Sequence, residues 1–328
     1  MTAPLAEPAG TSTGSPAPAP PHAPGTGFAR LRSRLAAPVV VANLVGQIAI
    51  VGTGGAVRLT GSGLGCSTWP QCEPGEFTPQ FHAAMSIHPL IEFGNRTLTV
   101  VLGIIGVLVA LLVTTEVRRS RGYRALGLVP VLGVAAQAVI GGLVVLLHLH
   151  PGWVGLHMLV SMALVAASSW LLVRTREGDG PTAWLVPPAV RRAAGALGAV
   201  LVVVLALGVV VTGAGPHSGD DEVGYRLAVD PWTFSKLHAW AVWAFVAVLV
   251  AALVLLRRAG ERGRPWRAGL VLLAVTLAQG AVGYVQLFTG LPVGLVNLHM
   301  IGAATLAATT VWFVGALRTR SAVGASSR

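Results

Sequence analysis

Eight stretches of the chain are apolar enough and long enough to cross a bilayer, and short polar segments separate them. They fall near residues 36–57, 85–113, 125–147, 153–173, 193–213, 236–256, 269–289 and 295–317. A helix needs ~20 apolar residues to cross ~30 Å of hydrocarbon, so the pattern predicts eight transmembrane helices. One segment occurs twice. Residues 136–170 align without a gap with residues 278–312 at a constant offset of 142. Gln137 pairs with Gln279, Gly141 with Gly283, Leu156-His157-Met158 with Leu298-His299-Met300, and Trp170 with Trp312. A repeat of this size predicts two related halves. It is strongest for the third and fourth spans against the seventh and eighth, while the fragments TGGAVRLTGSG and TGAGPHSG relate the first span to the fifth. The expected fold is an all-α integral membrane protein, its eight transmembrane helices forming two pseudo-symmetric four-helix bundles. Residues 1–34 are expected as a disordered tail, 35–175 as the first half, 190–318 as the second half and 319–328 as a closing tail.

Composition leads to the same class. The chain is 54% hydrophobic and 11% charged, with a mean hydropathy of +0.72, which leaves too little polar surface for a water-soluble fold. A net charge of +11 suits a nucleic-acid partner only where basic residues cluster on a soluble domain, and none is expected here. Four of the 23 Lys and Arg (Arg58, Arg96, Arg226 and Lys236) fall at one side of the spans; the other 19 fall at the opposite side, in the tails and in EVRRSRGYR, RTREGDGPTAWLVPPAVRR and RRAGERGRPWR. The positive-inside rule makes that second side cytoplasmic. Both termini are then expected inside a plasma membrane, and the loop carrying Cys66 and Cys72 outside. Residues 1–27 are rich in Pro, Ala, Gly, Ser and Thr and lack the apolar run of a signal peptide.

In this orientation the second, fourth, sixth and eighth spans all enter from outside, and each carries a polar residue near its outer end. These are His88, Glu92 and Asn95, then His157, His238 and His299. An ionisable side chain within a membrane helix is costly and by default marks function, although a histidine can also bond a neighbouring helix or sit at headgroup level. Three at equal depth on alternate helices point to haem iron, because facing helices can place imidazoles on both faces of a porphyrin. His238 and His299 form such a pair. The partner of His157 is His88 or Asn95, or that iron has a single protein ligand. An open iron position suits chemistry, whereas two tight ligands suit electron transfer.

Glu92 is the only carboxylate within a predicted span and shares a helical face with His88 and Asn95. It serves proton transfer or a structural ion pair with Arg96, and Arg96 alternatively holds a haem propionate. Cys66 and Cys72 make either a structural bridge or a redox pair. His22, His82, His148, His150 and His217 read as solvated residues. Gln137 and Gln279 read as interhelical hydrogen-bonding groups, and Trp170 and Trp312 as interfacial anchors.

The run from Arg58 to Cys66 with Trp69-Pro70 and Cys72, the stretch Glu92-Phe-Gly-Asn95-Arg96, and His157, His238 and His299 together resemble haem A synthase. The resemblance covers all eight spans. It implies oxidation of the C8 methyl of haem O to the formyl group of haem A, for cytochrome c oxidase. It implies a haem b cofactor on His238 and His299, and substrate haem in the first half with Glu92 near the reacting methyl. It also implies haem O synthase and cytochrome c oxidase assembly factors as partners, beside the lipid bilayer. Cys66 and Cys72 match the family's loop pair, and a second pair carried by some members between the fifth and sixth spans is absent. Many members have His where this chain has Asn95. Either His88 replaces that ligand or His157 is left as the sole strong one. A b-type di-haem electron carrier and a haem transporter are the competing readings.

Overall fold

The structure is a computed structural model that describes residues 27–80, 86–217, 219–220 and 222–321. Its helices are α1 (Gly27–Leu59), α2 (His88–Thr114), α3 (Arg121–Leu126), α4 (Val129–Leu146), α5 (Pro151–Arg176), α6 (Pro188–Ala214), α7 (Pro231–Arg258), α8 (Arg264–Phe288) and α9 (Val293–Ala316). Counting α3 and α4 as one span, eight helices among the described residues are long and apolar enough to cross a membrane. Proline opens α2, α4, α5, α6, α7 and α8. At the first helical positions its missing N–H removes no intrahelical bond.

Three expectations on boundaries are corrected. Residues 27–34 are helical and not part of the tail. Phe28-Ala-Arg-Leu-Arg-Ser-Arg-Leu35 is rich in helix-forming residues, and the Arg32 guanidinium ties it to α2 through the Thr115 carbonyl (2.9 Å) and Glu116 (2.8 Å). The third span is broken between α3 and α4, where Pro130 follows Leu128-Val129 and cannot donate to the preceding turn. Finally, Thr319 and Arg320 belong to a strand, β2 (Arg318–Arg320), antiparallel to β1 (Thr182–Trp184). Residues 1–26 and 322–328 lie outside the described residues.

The strand pair sits at the Arg-rich end, within a set of ion pairs. Asp179 receives Arg119 Nε at 2.6 Å and also pairs with Arg174; Glu177 receives Arg174 Nη1 and Arg318 Nη2, each at 3.0 Å. Burial pushes the Asp179 carboxyl up, but hydrogen bonds from Arg119 and from the Ser120 amide and hydroxyl hold it well below the usual carboxylate range. Arg318 also stacks over Trp170, 4.4 Å from its ring centroid.

Helices α1, α5 and α9 form the seam through the middle of the molecule. Asn43 Nδ2 donates to Ser168 Oγ at 2.9 Å, and Ser169 Oγ to the Ala308 carbonyl at 2.8 Å. Each such bond between membrane helices contributes ~0.6 kcal/mol. Glycines let the backbones approach: a Cβ on Gly52 would lie 2.8 Å from Ile301 Cδ1. The buried core concentrates on α6–α9, around Phe245, Leu249, Leu256, Leu272 and Phe313. A smaller core of Val40, Val109, Val113, Tyr123 and Leu171 holds α1, α2, α3 and α5 together near the Arg-rich end.

Candidate functional site

Two pairs of helices present polar side chains at the end opposite the arginines. In the second pair, His238 is the eighth residue of α7 and His299 the seventh of α9. Their rings lie 6.4 Å apart between centroids and at 77° to one another. A glycine on the preceding helix makes room for each: a Cβ on Gly208 would stand 3.2 Å from His238 Cε1, and one on Gly283 3.3 Å from His299 Cε1. Nδ1 of His238 lies 3.0 Å from the Val204 carbonyl. A carbonyl only accepts, so Nδ1 carries the proton and Nε2 keeps its lone pair for a metal.

Both rings line a cavity of about 450 Å³. Its walls are mostly apolar, including Met158 and Met162 of α5, Phe245 of α7 and Leu277 of α8, and Arg58 of α1 reaches it from across the seam. The donor set fits haem iron. An ion bound by two imidazoles at the ~2 Å usual for nitrogen ligands would set the ring centroids roughly 6 Å apart, which is the spacing of His238 and His299. The apolar walls suit a porphyrin face.

The other pair is built in the same register from different residues. Asn95 is the eighth residue of α2, the place of His238 on α7; His157 is the seventh of α5, the place of His299 on α9. Asn95 Oδ1 accepts from Thr53 Oγ1 at 2.7 Å. His88 opens α2 and lies roughly 10 Å further along the axis at ~1.5 Å per residue, where its Nδ1 is 2.8 Å from Ser62 Oγ. His157 packs on Gly141, where a Cβ would be 3.4 Å from its Cε1, and its buried Nδ1 has no hydrogen-bond partner. Among the described residues, no hydrogen bond or ring contact joins His157 to His88 or Asn95. Its backbone carbonyl receives the Gln137 amide at 3.0 Å, an interhelical bond of the kind expected.

Over this pair lies the loop from Thr60 to Gln80. Cys66 and Cys72 are joined by a disulfide, and the Trp69-Pro70 peptide is cis. Glu92, 4% exposed, holds the loop from below: Oε2 accepts the Cys66 N–H at 2.7 Å, and Oε1 accepts Arg96 Nε at 3.1 Å. Arg96 Nη1 in turn donates to the Thr68 and Gln71 carbonyls at 3.0 and 3.1 Å. Glu92 and Arg96 are therefore an ion pair that fastens the loop. The Trp69 ring packs on α4, since a Cβ on Gly142 would lie 2.7 Å from Trp69 Cδ2.

Of the remaining histidines, His150 caps α5 by accepting the Gly152 N–H (3.2 Å), and His217 Nε2 lies 3.2 Å from the Leu291 carbonyl. His22 and His82 lie outside the described residues. Sequence reasoning missed the reach of Arg58 into the second cavity and the seat of Trp69 on Gly142. The glycines paired in the repeat, Gly141 and Gly283, were the available signal for where the imidazoles pack.

The COX15-CtaA cytochrome oxidase assembly protein family model matches residues 38–218, more than half of the chain. The chain belongs to this family. A relative from Methylobacterium radiotolerans named heme A synthase is 32% identical, over 83% of this chain and 87% of its own length. Proteins of the same name from Rhizorhabdus wittichii and Bacillus cereus are 26% and 24% identical, over 84% and 85% of this chain and 91% and 92% of theirs. The family's matched region contains the disulfide loop, Glu92, Arg96 and His157, and ends before α7 and its histidine.

Proposed function

We propose that this multi-pass membrane protein is a haem A synthase, an oxidoreductase that converts the C8 methyl of haem O to the formyl group of haem A. The observation that carries the reading is the His238–His299 pair across an apolar cavity, in a chain of this family. The two imidazoles would hold a haem b iron, which when bound supplies one-electron transfer. His238 keeps its ligating nitrogen oriented through Val204.

The first half takes the substrate haem. His157 is its iron ligand, with Asn95 in the register position opposite, so one iron face lacks an imidazole. With water as the oxygen source and an external oxidant taking the electrons, converting a methyl to a formyl group releases four protons and four electrons, and Glu92 is the carboxylate that would accept one of those protons. Three N–H donors, from Cys66 and from Nε and Nη2 of Arg96, already meet its oxygens, which is the hydrogen bonding of the ionised, proton-accepting form. The disulfide loop and Trp69 cover the site and limit water. By the positive-inside rule, the loop faces outward and both termini the cytoplasm. Haem O synthase is the partner class that would deliver the substrate.

The test is expression of the chain in cells supplied with haem O, followed by extraction and mass analysis of the pigments. Formyl-bearing haem A is expected. Haem O carried through unchanged would remove the synthase reading and leave a di-haem carrier or a transporter.

A further inference from the structure

Among the described residues, Arg58 is the only formally charged one lining the cavity of the second half. It stands at the C-terminal end of α1, across the seam from α6–α9, with Pro151, Gly213 and Leu291 around the same end of the cavity. Its guanidinium is under-used. Nη2 donates to the Thr212 carbonyl at 2.9 Å, whereas Nε is buried without a partner. None of the ion pairs among the described residues includes it.

The other arginines at this end are satisfied. Arg226 donates to the carbonyls of Gly215, Pro216, Val223 and Tyr225, and Arg96 is occupied by Glu92 and the disulfide loop. A guanidinium facing an apolar cavity with an orphaned N–H is costly unless an anion meets it. Its planar donor fork suits a carboxylate.

We propose that Arg58 is the carboxylate anchor of the second cavity, gripping an acidic side group of the iron tetrapyrrole whose iron His238 and His299 hold. This rests on the haem reading above. The cavity then matches an amphiphile: apolar walls for the ring, two imidazoles for the iron, and one cation at the mouth for an acid. The anchor comes from the opposite half of the molecule, so the seam between the halves is part of the binding site.

The full chain, purified in detergent from haem-depleted cells, is titrated with ferric haem b and with its dimethyl ester, followed by the Soret band. The unmodified protein is expected to bind the free acid roughly tenfold or more tighter than the diester, the range of a hydrogen-bonded charge. Arg58→Gln should lose that preference while its affinity for the diester stays unchanged, which shows that the cavity is intact. Arg58→Lys should keep part of the preference. Retention of the full preference by Arg58→Gln overturns the proposal, as does an unmodified protein that binds both forms equally. An unmodified protein that binds neither form overturns the haem reading along with the anchor. If Arg58→Gln binds neither form, Arg58→Lys decides, and loss of its preference overturns the anchor.

Discussion

The two halves set the same Leu-His-Met helix against different partners. In the second half His299 faces His238, and the helix behind it continues Gly283-Tyr284. In the first half His157 stands in register with Asn95, and the helix behind it reads Gly141-Gly142. Gly142 admits the Trp69 ring, whereas Tyr284 at the equivalent position lines the cavity and receives the Trp243 Nε1–H at 3.2 Å. One half is thus closed by a disulfide loop over a single imidazole, and the other is an apolar slot between two. One change on the facing helix, Asn95 for His238, and one on the helix behind, Gly142 for Tyr284, accompany the difference between a loop-covered site and a bis-imidazole site. Under the proposed reading, this difference is what lets a duplicated helix pair hold a resident cofactor in one copy and a reacting group in the other.

The largest expected effect breaks the second half alone. His299→Ala should lower haem retained by the purified protein by more than the ~10–100-fold that follows loss of an outer-shell contact to a metal site, read from extracted haem and the visible spectrum. His157→Ala should leave that resident haem in place and abolish haem A formation. Equal haem loss from both variants would end the proposed division of labour.

A smaller effect is expected at the loop of the first half. Glu92→Ala leaves Arg96 without its carboxylate and should destabilise the protein by about 3 kcal/mol, as loss of one partner does in a buried pair, measured by thermal unfolding in detergent. Glu92→Gln fills the same space but is neutral and can accept on one oxygen only, so either the Cys66 N–H or Arg96 loses its acceptor, and it should destabilise the protein less than Glu92→Ala. With a proton-accepting role the turnover of folded Glu92→Gln protein should fall ~100-fold or more, while the melting temperature stays above that of Glu92→Ala. Turnover near that of the unmodified protein would leave Glu92 a purely structural clasp.

The smallest effect should touch both halves alike. Asp179 is held below the ordinary carboxylate value of about 4. Its stabilisation is therefore complete above that value and fades as pH falls through its lower folded value. Asp179→Asn should lower the melting temperature at neutral pH by a few degrees and flatten the acid limb of the melting-temperature profile below about pH 4, with both haem sites unaltered. A selective loss of one haem would mean that the Arg-rich end controls a site at the other end of the bundle.

Much of this was legible before folding because a membrane restricts what a chain can be. Apolar runs must be helices, since unpaired backbone groups are too costly in hydrocarbon, so all eight spans were visible. Their ends were less so. The continuation of α1 to Gly27 depends on Arg32 finding Glu116, and β2 on finding β1, both contacts between segments distant in sequence. The histidines stood out because ionisable residues are rare in spans. Arg58 did not, because a cation at a span end reads as an ordinary interfacial charge.

The sequence by itself determined the spans, the duplication, the depth of His157, His238 and His299, and the departure at Asn95, because each follows from helical period and the cost of polar groups in lipid. Tertiary structure alone decided that Asn95 and not His88 stands in register with His238, that Glu92 and Arg96 clasp the disulfide loop, and that Arg58 crosses the seam. Those outcomes depend on where loops return and which helices touch, and one chain's local pattern carries no record of either.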